Sequence, residues 1–359
     1  MHIAIIAPVE LSVPPVSYGG TELVVSVLTE ELVRRGQNVT LFATGDSKTN
    51  AKLVSVVDHS IQWSKHDSHI LNMLNVLSCV EKSEKYDIIH NHTFFEGMSI
   101  AGLVRTPMLT TLHGQLESDW ARLFQHYKGW YNTISYSMKK LLPVKDKFAG
   151  VVYNAIRPED YPFNNGTRED YLLFFSRMSQ EKGPHFAIQV AEELNIQLIM
   201  AGPVHPPDET YFHSQILPHV DGEMIQYLGE VDVETKKQLM RNARCLLAPI
   251  TWPEPFGLFM GEALACGTPV VAFNRGAAAE IIEHNATGFV VDNVSDMVRV
   301  IPQVDKIDPQ VCRRSVEEKF SPGRMADDYL QAYQRILLKE SRMIPIVNVP
   351  TKAREALEI

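Results

Sequence analysis

Apolar runs of strand length alternate with segments of helical spacing twice over in this chain, once before residue 154 and again after residue 167. The first series is His2–Ala7, Asn38–Ala43, Asp87–His90 and Met108–Leu112. Leu23, Val24, Val27, Leu28 and Leu32 mark a helix over Thr21–Arg35 that stops at Gly36. The second series is Tyr171–Ser176, Gln197–Ala201, Met224–Leu228, Cys245–Ala248, Pro269–Phe273 and Phe289–Val291, with helices predicted over Pro184–Leu194 and Val233–Asn242. Strands separated by helices pair in parallel, because the crossover helices pack on the faces of the sheet. An α/β fold in two units follows. Between the units, Asn154–Thr167 carries Pro158, Pro162, Asn164, Asn165 and Gly166 and reads as a linker. A helix over Arg324–Lys339 closes the regular pattern, and the tail Ser341–Ile359 has no clear place in it.

The 359 residues are enough for two separate cores. No run reaches the roughly 18 apolar residues of a membrane helix. Met1–Pro8 lacks the basic leading region of a secretory signal. The net charge of −9 argues against a general nucleic-acid binder. Cys79, Cys245, Cys266 and Cys312 are scattered without metal-ligand spacing, which fits a reduced cytosolic setting better than a disulfide framework. Residues 1–153 hold 14 Lys/Arg and 14 Asp/Glu, and the remainder holds 20 and 29. The acidic excess therefore belongs to the second unit. An anion bound there needs local cations.

Ligands of open parallel sheets sit beyond the carboxyl ends of the strands, and each candidate residue follows a predicted strand. Glu254 and Glu262 bracket E-P-F-G-L-F-M-G-E, which leaves the strand at Ala248 and enters a helix ending near Gly267. Pro253, Pro255 and Gly257 force a turn. Gly257 lets backbone N–H groups approach a ligand, and the helix start favours an anion. The two carboxylates can accept hydrogen bonds from hydroxyls on either side of that anion. Arg177 and Lys182 stand on another loop after a strand and would meet its charge. His113 follows the strand Met108–Leu112, where a neutral imidazole can bond a hydroxyl or assist proton movement. Gly19 and Gly20 precede a helix whose first turn carries Thr21 and Glu22, although the full G-x-G-x-x-G fingerprint is absent. His90 and His92 point the same way on an extended segment, but no cysteine or carboxylate cluster accompanies them and no metal is expected. The stretch Trp120–Lys147 mixes Trp120, Phe124, Trp130 and Tyr131 with Arg122, Lys128, Lys139, Lys140, Lys145 and Lys147. It is a lipid- or acceptor-facing surface or, the reading preferred here, buried aromatics under a solvated basic face.

Five segments carry a family likeness: Y-G-G-T-E from Tyr18, R-M-S-Q-E-K-G from Arg177, A-G-P from Ala201, G-E-V from Gly229, and W-P-E-P-F-G-L-F-M-G-E-A-L-A-C-G-T-P-V-V from Trp252. Together they resemble the retaining glycosyltransferases of family 4, to about residue 335. The resemblance implies a GT-B architecture of two Rossmann-like domains facing across a cleft. It divides the chain into an acceptor domain at 1–153, a nucleotide-sugar donor domain at 154–323, and a helix with tail at 324–359 that packs back towards the first domain. By the same resemblance, Arg177 and Lys182 hold the donor diphosphate and Glu254 contacts the donor sugar. His113 lines that sugar from the N-terminal domain, and Glu262 takes the ribose hydroxyls. Phe256, Gly257 and Leu258 offer backbone N–H groups, while Gly202, Val231, Gly19 and Gly20 line the donor. His92 and the loop Leu11–Tyr18 face the acceptor. The implied reaction is transfer from a nucleotide-sugar, UDP-sugar before GDP-sugar, to a sugar, lipid-linked or small-molecule hydroxyl acceptor. It needs no metal or cofactor and no nucleic acid, and contact with the inner face of the membrane is compatible with it. A non-catalytic nucleotide-sugar-binding protein, or an epimerase or phosphorylase of the same architecture, would keep many of the same residues.

Overall fold

The computed structural model describes residues 1–16, 19–62, 64–114, 119–142 and 147–343. Tyr18, Lys145 and the tail from residue 344, all named above, lie outside the described residues. Among the described residues, thirteen strands form two parallel sheets. The first holds β1 (His2–Ile6), β2 (Asn38–Phe42), β3 (Lys52–Val54), β4 (Ile88–Asn91), β5 (Met108–Leu112), β6 (Trp130–Thr133) and β7 (Phe148–Val151), in the order β3-β2-β1-β4-β5-β6-β7. The second holds β8 (Tyr171–Phe175), β9 (Gln197–Ala201), β10 (Ile225–Tyr227), β11 (Cys245–Ala248), β12 (Val270–Phe273) and β13 (Gly288–Val291), in the order β10-β9-β8-β11-β12-β13. Both faces of the first sheet are covered. Ile3 and Ile5 pack under the helix Gly20–Arg34, whereas Ala4 and Ile6 face Val76 and Cys79 of the helix Ser68–Val80. That alternation is the period of two expected of a strand buried on both sides.

The long helix Pro322–Met343 returns to the first sheet. Met325, Ala326, Tyr329, Ala332, Tyr333 and Ile336, at helical spacing, join Ile3, Val24, Leu28 and Trp130 in one core. Full burial of side chains of this size stabilises by about 1.5–3 kcal/mol each, which anchors the end of the chain on its beginning. Arg35 adds a polar tie to Asp327 and to the Gly323 carbonyl, the latter at 2.8 Å.

Several elements depart from the sequence expectation. Strands β3, β6 and β7 and the helix Ser68–Val80 had not been expected. The strands are three or four residues long, and β6 and β7 are offset by a register shift at Tyr131/Asn132. The helix leaves Ile70, Leu74 and Leu77 exposed, which blurs its apolar stripe, although its Asp67 cap accepts bonds from the His69 and Ile70 amides as a start signal should. The aromatic stretch Trp120–Lys147 turns inward: Phe124, Trp130 and Tyr131 are buried, and Lys147 pairs with Glu340 at 3.1 Å. All four cysteines are free and buried. Among the described residues no helix is long and apolar enough to cross a membrane.

Candidate active site

The strand order places the site. In the second sheet it reverses between β8 and β11; in the first it reverses between β1 and β4. Loops beyond such switch points diverge and leave a crevice. One cleft is lined by loops beyond the carboxyl ends of both sheets: Gly19, Gly20, Thr21, His113 and Ile134 from the first half, and Asn154, Arg177, Lys182, Gly202, Val231, Trp252, Glu254, Phe256, Gly257, Leu258 and Glu262 among those from the second. Its cavity volume is about 330 Å³, within the roughly 300–1,000 Å³ of ordinary small-molecule pockets. Gly20 sits where the two halves meet, and a Cβ there would lie 3.5 Å from Leu258 Cδ1.

The loops after β8 and β11 are pinned together before any ligand is considered. The Thr251 amide donates to the Glu181 carbonyl at 2.9 Å. Gly183 has φ 75°, and a Cβ on it would meet the Pro249 carbonyl oxygen at 2.1 Å, so only glycine permits this approach. Lys182 is thereby carried into the interior, where it pairs with Glu254 and lies 4.8 Å from the centre of the Trp252 ring. Trp252 Nε1 donates to the same carboxylate at 2.8 Å. Glu254 is thus an oriented acceptor held by two donors. Glu262, on the helix Leu258–Ala265, is held the same way by the Tyr161 hydroxyl at 2.6 Å and Lys236 Nζ at 2.8 Å, both on Oε1. Arg177 pairs with Glu181 and lies 3.2 Å from Asp208.

These pairings correct the simple picture of bare cations awaiting a diphosphate. Arg177, Lys182 and Lys236 line the cleft together with Glu181, Glu230, Glu254 and Glu262, so the local charge is close to balanced. Gly257 (φ 84°) caps the helix Leu258–Ala265 with no side-chain acceptor on its first N–H groups. They supply the donors that the ion pairs do not. Phe256, which also lines the cleft, is buried with its ring against Tyr153 and Phe320. Gly202 (φ 144°) leaves no room for a Cβ, which would lie 2.0 Å from the Ser176 carbonyl oxygen. Its first role is therefore the close approach of two loops.

His113 reaches the cleft at the end of β5, and burial holds its imidazole down to about 4. It is neutral near pH 7, a state suited to hydrogen bonding. His92, expected at the acceptor, is 1% exposed and stands behind His113, with His92 Nδ1 2.8 Å from His113 Nε2. It does not line the cleft. His90 cannot ligate a metal either, since Nε2 lies 2.7 Å from Thr111 Oγ1 and Nδ1 2.6 Å from the Tyr333 hydroxyl. Glu22 is not among the residues that line the cleft, and burial pushes its carboxyl up to about 7. Sequence reasoning missed Lys236, Tyr161 and Trp252. Trp252 was legible as the first residue of the glutamate motif. The other two come from separate segments that only the fold brings to Glu262.

Residues 18–148 match the family described as Glycosyltransferase Family 4, and residues 158–307 match the one described as Glycosyl transferases group 1. An uncharacterized glycosyltransferase of Methanocaldococcus jannaschii is 27% identical over 80% of this chain and 84% of its own. Among solved structures, AviGT4, a glycosyltransferase involved in avilamycin A biosynthesis, superposes with a TM-score of 0.73 at 23% identity over 94% of this chain and 98% of its own. HepE of Anabaena, solved in complex with UDP and glucose, superposes at 0.71 with 20% identity over 93% and 100%. These likenesses place the fold as GT-B.

Proposed function

The chain belongs to the family 4 glycosyltransferases, and on that premise we propose that it transfers a sugar from a UDP-sugar to a hydroxyl acceptor, with retention of configuration and without a metal. The observation that carries this reading is the convergence on one cleft of Glu254, Glu262, Lys182, Arg177 and an uncapped helix start from one sheet with His113 from the other. We assign the nucleotide to the second half, 154–323, and the acceptor to the first, 1–153, with the helix Pro322–Met343 tying the two together.

Both glutamates are tied by donors on their oxygens, a state suited to accepting hydroxyl hydrogens and unsuited to a free nucleophile. A double displacement through two carboxylates is therefore disfavoured against reaction on one face of the sugar. In that scheme the bond between the anomeric carbon and the phosphate oxygen breaks, the oxygen leaving with the nucleotide, as the acceptor oxygen bonds the same carbon. The acceptor proton passes to the departing phosphate. Lys182, Arg177 and the N–H groups after Gly257 stabilise the charge that develops on that phosphate, and the two halves exclude water. UDP is preferred as nucleotide because HepE of the same fold binds it. A sugar, a small molecule or a lipid-linked sugar fits the acceptor role, and the last would bring the protein to the inner face of a membrane. The test is release of UDP from UDP-sugars across an acceptor panel, with the anomer of the product read by NMR. UDP formed only with acceptor, and a retained anomer, are expected; an inverted product overturns the mechanism, and no turnover with any donor overturns the activity.

Two further outcomes separate the roles. Glu262→Gln is expected to weaken UDP binding by roughly tenfold, the scale of a charge-assisted hydrogen bond. Glu254→Gln should leave UDP affinity nearly unchanged and lower turnover. Calorimetric titration with UDP alone, beside steady-state kinetics, checks this; the opposite pattern exchanges the assignments. Turnover is also expected to stay within about threefold in excess chelator or added magnesium, less than 1 kcal/mol in barrier. Loss in chelator that one divalent ion restores would overturn the metal-free scheme.

A further inference from the structure

His92 is buried and its Nε2 has no hydrogen-bond partner, whereas its Nδ1 contacts His113 Nε2 at 2.8 Å. One of those two facing nitrogens must carry the proton. If His113 donates, the proton of His92 moves to Nε2 and becomes a buried N–H with no acceptor. If His92 donates, the unmatched atom is a bare ring nitrogen. Orphaned buried N–H groups are the rarer and costlier of the two. The layer beneath is already committed. Thr111 Oγ1 donates to Asn132 Oδ1 at 2.8 Å, so it accepts from His90 Nε2, and His90 Nδ1 accepts from the Tyr333 hydroxyl. The His90 ring packs against His92 at a tilt of 43° with centroids 4.0 Å apart, a contact that offers His92 Nε2 no acceptor.

Resting on the glycosyltransferase reading above, we propose that His92 is a positioning residue: by donating from Nδ1 it holds His113 as the Nδ1–H tautomer, which makes the cleft-facing edge of His113 a hydrogen-bond donor. Among the described residues His113 Nδ1 has no hydrogen-bond partner, and His113 lines the cleft. Donor character there suits an oxygen of the sugar, and it excludes His113 as the base that removes the acceptor proton. The helix Pro322–Met343 takes part through Tyr333, whose bond to His90 sets the layer on which His92 rests.

Long-range proton–nitrogen NMR of the full chain with labelled histidines reads the tautomer directly, with His113→Gln identifying the signals. His113 is expected to show a protonated Nδ1 and an unprotonated Nε2. A protonated Nε2 overturns the proposal. In kinetics, His92→Leu removes the donor and is expected to lower kcat at least fivefold, with a smaller change in the donor KM. His92→Asn keeps an N–H near the position of Nδ1 and should recover turnover to within about threefold of wild type. Equal losses in the two variants, with UDP still bound, overturn the proposal. The NMR signature needs no turnover, so an inactive wild type with the expected tautomer would count against the transferase reading alone.

Discussion

Lys182→Ala is expected to lower kcat/KM for the sugar donor by ten- to about a hundredfold, from loss of a charge-assisted contact of about 1.5–3 kcal/mol. The side chain is nearly buried, spans the loops after β8 and β11, and meets both Glu254 and the Trp252 ring. Its removal takes a cation from the cleft and leaves the Glu254 carboxylate with only the Trp252 N–H. Stripping one partner from a buried pair costs stability as well, so the melting midpoint should fall too. The two effects are separable. Adding Glu254→Gln to Lys182→Ala neutralises the stranded carboxylate, and the double variant should regain most of the lost midpoint without regaining activity. Because the residues touch, the double loss in kcat/KM should be smaller than the product of the single losses. Wild-type kinetics in folded Lys182→Ala would remove this residue from the machinery.

Gly276→Ala is expected to be as damaging although the residue makes no chemistry. Gly276 has φ 57°, and a Cβ on it would lie 2.2 Å from both the amide nitrogen and the carbonyl oxygen of Glu254. A left-handed alanine costs about 1–2 kcal/mol, and forcing the overlap apart costs a further ~1–3. The relief would come from shifting the Glu254 backbone, which the Ala277 amide otherwise holds by its carbonyl at 2.9 Å. The melting midpoint should drop by about 4–20 °C if the second unit responds as a domain of its size. Turnover should fall more than UDP affinity, since Glu254 is displaced while Glu262 is not. Calorimetric melting and UDP titration measure the two. An unshifted midpoint would show that the loop yields freely.

The two-unit α/β reading came from strand-length, mostly apolar runs alternating with segments of helical spacing, and β5, β9 and β11 begin and end where those runs do. Strands β3, β6 and β7 escaped because Lys52, the Asn132–Thr133 pair and Gly150 interrupt runs that are already short, and β3 and β7 are only partly buried. Twelve of the thirteen residues expected at the site line one cleft, since each follows a strand and parallel strands deliver all their carboxyl ends to one edge. His92 is the exception. It too follows a strand, yet its ring turns beneath His113, and nothing in spacing separates a ring that faces the cleft from one that supports it.

What the chain alone decided was therefore local: which runs are strands, where they end, and which charged residues stand at those ends. Strand order, and with it the two switch points that open the cleft, depended on long-range pairing that no local pattern records. The same holds for the partners that orient the carboxylates. Lys236 and Tyr161 hold Glu262 from 26 and 101 residues away, and Lys182 reaches Glu254 across 72. The cations that look free in sequence are paired in the fold because burial in low dielectric makes a lone charge costly. Only the packed structure shows which carboxylate answers which cation.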